Sequence, residues 1–268
     1  MRAVWITALL AAFTPSLAQG GPGQLPFSLG PALTYQVTTQ VLEQAPGQPL
    51  LAFTLGHRLT VQVLGSDPER GTLLREQLDA VTLSGAGANA ASAAAALPAV
   101  TRTVVQTPDG SRQTLNVEGL DRLQAQLFFR FPLDQRSQLI AQQLSGLLLG
   151  GLTDQPLPSA PLAPGQSVRT VSETTTQLPF VGGAVTVRRS ALTVARPSPV
   201  GTRLDTILRL EQLTGPGGVV NPSAPRTTIA IQATFGADGQ LLTRRDVLAT
   251  TPGADSRRRS VTATVERQ

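Results

Sequence analysis

Residues 50–63, LLAFTLGHRLTVQV, decide the fold class. Leu51, Phe53, Leu55, His57, Leu59, Val61 and Val63 stand two apart, with mostly polar or small residues between them. A period of two belongs to a strand with one dry and one wet face, not to a helix. Thirteen residues at about 3.3 Å each span roughly 43 Å, long for a globular strand. Such a strand is expected to bend, and Gly56 is the residue that permits it. His57 is the single histidine of the chain. Alternation sets it on the dry face, as a core or rim residue hydrogen-bonded to a neighbour.

The same alternation recurs outward from this stretch. Leu33, Tyr35, Val37 and Val41 share one side of an earlier strand, with Thr34, Gln36, Thr38 and Gln40 on the other. Later runs place Leu204, Leu208 and Leu210, then Ile229, Ile231, Ala233 and Phe235, then Val261, Ala263 and Val265 on dry faces. One dry and one wet face is the pattern of an antiparallel sheet. The Asp-Gly pairs Asp109-Gly110 and Asp238-Gly239 lie between strand-like runs and read as hairpin turns, because Gly accepts the positive φ such turns require.

The chain also resembles itself. LTVQVLGSDPERGTLLREQL from Leu59 matches LTVARPSPVGTRLDTILRLEQL from Leu192, an offset of about 133 residues, and the Asp-Gly turns are offset by 129. The preceding segments correspond loosely, LGPALTYQVTTQV against LAPGQSVRTVSETTT, in the same order. Ser190 stands opposite His57 in this alignment, so the second copy lacks a histidine.

Two segments interrupt the sheet. The Ala/Gly/Ser tract 84–98 is expected to be a flexible loop with at most a frayed helical turn. Residues 119–153 read as helical: Leu120, Leu123, Leu127 and Phe128 recur at helix spacing, Pro132 ends that piece, and Asp134 caps a second. The second piece has an apolar stripe of Leu139, Ile140, Leu144, Leu147 and Leu148, and Gly150 and Gly151 end it. The organisation expected is a signal peptide over 1–18, a first β repeat over 19–118, the helical segment, a Pro-rich linker over 154–164 and a second β repeat over 165–268. The fold class is mainly β: two similar antiparallel curved-sheet, half-barrel-like repeats, with the amphipathic helical segment between them covering the apolar face.

Residues 1–18 carry Arg2, an apolar run from Ala3 to Phe13, and small Ser16 and Ala18 before an expected cleavage at Gln19. The run is too short to span a bilayer, which takes roughly 20 residues. The chain is therefore expected to be exported to the periplasm or beyond and, once cleaved, not transmembrane. It has no cysteine, so no disulfide supports it. A membrane β-barrel would need aromatic girdles; beyond residue 18 there is no Trp, one Tyr and seven Phe.

Every basic residue is arginine, which removes lysine Schiff-base chemistry. Residues 19–164 hold eight arginines and ten acids; residues 165–268 hold thirteen and seven. Without cysteine no Cys-His pair can be built, and zinc sites usually draw on several Cys or His ligands where this chain offers one histidine. Gly-x-Ser-x-Gly, nucleotide-loop and calcium-loop patterns are absent. No metal or cofactor is expected. Nucleic acid is excluded as a partner by arginine clusters without interleaved aromatics. Two groups of candidate binding residues remain. His57, Phe53 and Tyr35 would line a cavity on the dry face. Arg188, Arg189, Arg244, Arg245, Arg257, Arg258 and Arg259 either line the wet face and strand ends and keep edges from pairing with other chains, or meet a lipid phosphate or an anionic envelope component.

The opening of each repeat, Gly30 with Thr34 and Tyr35, then Gly165 with Ser167 and Val168 in the aromatic's place, resembles uncharacterised families of bacterial exported proteins with tandem long-stranded β repeats. The architecture is more loosely similar to the half-barrels that carry lipoproteins across the periplasm. The resemblance implies a non-enzymatic envelope protein, a scaffold or a carrier of an apolar or lipidic ligand in a curved-sheet cavity. The alternative is a carboxylate-dependent hydrolase of an envelope polymer, which needs two acids facing each other at roughly 5–9.5 Å.

Overall fold

The computed structural model describes residues 32–47, 50–67, 71–107, 112–150, 162–178, 183–215, 217–237, 240–251 and 258–268. The expected signal peptide, most of the linker, both Asp-Gly pairs, Gly30 and Arg257 lie outside the described residues.

Alternation produces long strands. They are β1 (Leu33–Gln44), β2 (Leu51–Asp67), β3 (Gly71–Ser84), β4 (Val100–Gln106) and β5 (Arg112–Glu118) in the first half. The second half has β6 (Ser167–Leu178), β7 (Gly183–Ser198), β8 (Gly201–Leu213), β9 (Arg226–Gly236), β10 (Leu241–Thr251) and β11 (Arg258–Arg267). All pair antiparallel in one open sheet of order β5-β4-β3-β2-β1-β11-β10-β9-β8-β7-β6. Each half is a meander, and β11 joins them by pairing with both β1 and β10.

The five strands of the first half correspond in order to β6–β10 of the second, and β11 has no counterpart. The matched segments form the β2–β3 and β7–β8 hairpins, and the strands flanking the Asp-Gly pairs are β4–β5 and β9–β10. The likeness extends to single atoms. Gly71 opens β3 with φ +102, and a Cβ there would collide with the Gln106 carbonyl at the end of β4. Gly201 opens β8 with φ +148, and a Cβ there would collide with the Phe235 carbonyl near the end of β9. Both positions combine left-handed backbone with a close approach that only glycine allows.

Among the described residues there are three helices: α1 (Ala88–Ala95), α2 (Leu120–Arg130) and α3 (Gln135–Gly150). α1 corrects the expectation of a loop over 84–98. Alanine is the best helix former, and the burial of Ala90 and Ala94, one turn apart, lets the thin helix lie close on β3. α2 and α3 form as the sequence predicts. Asp134 accepts a hydrogen bond from the Ser137 N–H at 2.9 Å, and the extended Phe131 precedes Pro132. The apolar stripes differ in part from expectation. Leu123, Leu127, Phe131, Ile140, Leu144 and Leu148 are buried, but Phe128 and Leu139 face solvent.

The helices cover one end of the concave face. Val41, Leu51, Phe53, Leu55, Val81, Leu83 and Val261 pack there against all three. Gln143 of α3 fastens the cover at its edge: it donates to Glu43 at 3.2 Å and accepts from Arg259 at 2.6 Å. A second apolar cluster, with Tyr35, Val37, Leu59, Leu74, Val104, Ala233 and Val265, occupies the other end of the sheet and includes no helix residue. Each fully buried Leu, Phe or Val contributes about 1.5–3 kcal/mol.

Candidate functional site: the concave face of the sheet

His57 lies where these two zones meet. Its β1 partner is Val37, and the row continues across the sheet through Val265 and Arg244 to Ala233 and Leu204. Opposite His57 the β2–β3 register shifts between Gly56 and Arg58. The pairing is thus irregular beside Gly56, where a bend was expected, but the extra residue is on β3, at Ala80 with φ +52. Gly56 itself is needed for close packing, since a Cβ would meet Thr82 Oγ1 at 2.5 Å.

His57 is 5% exposed. Burial, helped by the positive charge of Arg102, lowers its pKa to about 4, so the imidazole is neutral at pH 7. Its Nδ1 has no hydrogen-bond partner among the described residues, contrary to the expectation of a satisfied core histidine.

The sheet brings together a group the sequence reading missed. Glu76 on β3 is buried, accepts from Arg102 Nη2 on β4 at 2.5 Å, and accepts a second bond from Arg112 on β5. Burial pushes the Glu76 carboxyl up, but the charges and hydrogen bonds of Arg112 and Arg102 outweigh it and hold the carboxyl below its usual range. Arg102 also shifts down, chiefly through its own burial and further through the charge of Arg112, which together outweigh the support of Glu76. The two shifts agree on one arrangement: a buried carboxylate held by two guanidinium groups. Gln106, beyond Arg102 on the same face, is 4% exposed, and its Oε1 lacks a partner among the described residues.

A signal for this group exists in the sequence. Glu76 stands between Leu74 and Leu78, and Arg102 between Val100 and Val104, so charged residues occupy dry-face positions. The same holds for Arg244 and Asp246, two residues apart on β10. They are buried together through Nε–Oδ1 and Nη2–Oδ2 bonds of 2.8 and 2.9 Å. Thr193 and Thr206 extend the polar positions across the second half, with their hydroxyl oxygens 2.9 Å apart.

Of the expected cavity residues, Tyr35, Phe53 and His57 do share the concave face and are buried. They do not gather at one point: Phe53 belongs to the helix-covered cluster and Tyr35 to the other. The arginines expected to form an anionic-partner surface are divided. Arg188 is on the convex face, bonded to Glu173 at 2.9 Å; Arg244 is buried with Asp246; Arg259 is tied to Gln143. Arg245 and Arg258 are exposed and Arg189 half-buried. These residues make no single patch, because strand alternation sends neighbours to opposite faces.

Among the described residues the buried carboxylates are Glu76 and Asp246. They sit on β3 and β10, separated by three strands, and each is engaged by arginine. A carboxylate held ionised between two guanidinium groups has no proton to give at neutral pH, so Glu76 is unsuited to general-acid work. No described cluster of three or more His, Cys, Asp or Glu residues is placed to hold a metal. No described helix is long and apolar enough to cross a membrane.

No protein-family model matches the sequence, and no curated protein matches it. Among solved structures the chain is similar to DynF from the dynemicin biosynthesis pathway of Micromonospora chersina, at 6% identity and a TM-score of 0.25. The match covers 94% of this chain and 91% of that one. A likeness this distant carries no argument about function.

Proposed function

We propose that the chain is a non-enzymatic, exported envelope protein that holds a lipidic ligand with a polar head on the concave face of its sheet. The export part rests on residues 1–18. The binding part rests on one observation: His57 Nδ1 and Gln106 Oε1 are buried without hydrogen-bond partners among the described residues. Buried polar atoms are normally satisfied, and leaving one bare costs about 1–3 kcal/mol. By register Gln106 pairs through Thr72 with Ser66, nine residues along β2 from His57, so an elongated ligand would meet the two atoms with separate polar groups, and the Val, Leu and Tyr side chains between them would take its apolar body. The two guanidinium groups of the Glu76–Arg102–Arg112 cluster favour a head bearing negative charge.

Native mass spectrometry of the protein purified from the envelope tests this reading. A lipid adduct is expected on the wild type, and His57→Leu with Gln106→Leu should diminish it. Bare protein across several preparations overturns the reading and leaves a scaffold.

A further inference from the structure

The turn between α2 and α3 exposes what a folded surface normally hides. Leu133, Phe129 and Phe128 are 88%, 79% and 71% exposed, three of the four most exposed large apolar side chains among the described residues. The two rings contact each other edge to face, with centroids 5.1 Å apart. This exposure is not slackness. Phe131 is buried beneath the turn, Gln138 Nε2 donates to the Pro132 carbonyl at 3.0 Å, and Asp134 caps α3. The apolar tip is held out by a pinned frame.

Its charges point to an occupant. Exposed Arg130 and Arg136 flank the tip; neither has a carboxylate partner among the described residues, and Arg136 Nη2 donates to the Gly85 carbonyl at 2.9 Å with its other N–H groups left for a phosphate. Asp134, the single acid between Phe128 and Leu139, is committed to the α3 cap, where the positive end of the helix offsets its charge. A projecting aromatic pair ringed by arginines matches the interfacial layer of a bilayer, where rings sit at headgroup level and guanidinium groups meet phosphate. A second copy of this chain would bring the same positive charges face to face. We propose that the α2–α3 turn docks the protein on a membrane rich in anionic phospholipid, with Phe128, Phe129 and Leu133 entering the interface and Arg130 and Arg136 at the phosphates. This surface is distinct from the concave face and needs no bound cargo.

Vesicle flotation tests it with the purified protein and empty vesicles, either phosphatidylethanolamine with phosphatidylglycerol or phosphatidylcholine alone. The wild type should float with the anionic vesicles, less at high salt. Phe128→Ser with Phe129→Ser should lower the bound-to-free ratio about tenfold or more, since two interfacial rings are lost. Arg130→Gln should lower it on anionic vesicles only. Circular dichroism and the unfolding midpoint should stay unchanged; if the double variant misfolds, Leu133→Ser, in the turn itself, gives the same reading. A wild type that does not float, or variants that float equally, overturn the proposal. Self-association abolished by the Phe substitutions, without flotation, also overturns it and assigns the patch to a second copy. Because the vesicles carry no cargo assay, failure here and failure of the ligand reading are separately visible.

Discussion

His57 couples the interior of the sheet to pH. Its folded pKa of about 4 lies below the ordinary 6.5, so the native state binds fewer protons than the unfolded chain between those values. The stabilising contribution is complete above pH 6.5 and is lost as pH falls towards 4. Denaturant unfolding should therefore show a loss of about 2 kcal/mol between pH 7 and pH 5. His57→Leu should remove most of that loss, and an unchanged pH slope in the variant would refute the assignment. Glu76 acts in a different window. Its carboxyl is depressed from a normal value already below pH 5, so its contribution disappears only in stronger acid. These residue-level features were half legible. Parity alone put His57 on the dry face. Its missing partner was not visible, because that depends on atoms contributed by other strands.

At the scale of elements, the tightest requirements lie where hairpins begin. Gly71 and Gly201 open equivalent strands, with left-handed backbone against a neighbouring carbonyl. Gly71→Ala and Gly201→Ala should each destabilise by about 2 kcal/mol or more, through the strained φ and the collision together. Equal unfolding midpoints for wild type and variants would show that the strand ends relax instead. The helices were legible from local chemistry: Asp134 as cap, Pro132 as stop, and leucines at helix spacing. Two of their features were not. The tract 84–98 is rich in Gly and Ser as well as Ala and reads as low complexity, yet its run of small side chains suits a helix packed closely on β3. Phe128 and Leu139 sit at the margins of their stripes, and only the position of the sheet decides that they face outward.

For the molecule as a whole, β11 is the connection that makes one body of two repeats. It pairs with β1 across ten residues and with β10 across eight. Val261 and Val265 add side chains to the apolar clusters on the concave face. The two meanders should therefore unfold in a single calorimetric transition. A chain ending before Arg258 would bare the edges of β1 and β10, both long and partly apolar, and is expected to aggregate or to lose that cooperativity. A truncated chain that stays monomeric and melts in one step at the wild-type temperature would contradict this. Sheet order β5 to β6 leaves two true edges, and the exposed, polar β5 and β6 occupy them. Polar edge strands limit further pairing with other chains.

The mainly β class, the strand faces, the likeness of the two halves and the paired helices between them were already legible in the order of residues. Those follow from side-chain period, turn chemistry and caps, which act over a few residues. Tertiary structure alone decided that β11 bridges the repeats, that Glu76 meets arginines from two other strands, and that Phe128 and Phe129 project into solvent. Each depends on contacts between residues far apart in the chain, and register and packing fix such contacts only when the whole sheet has formed.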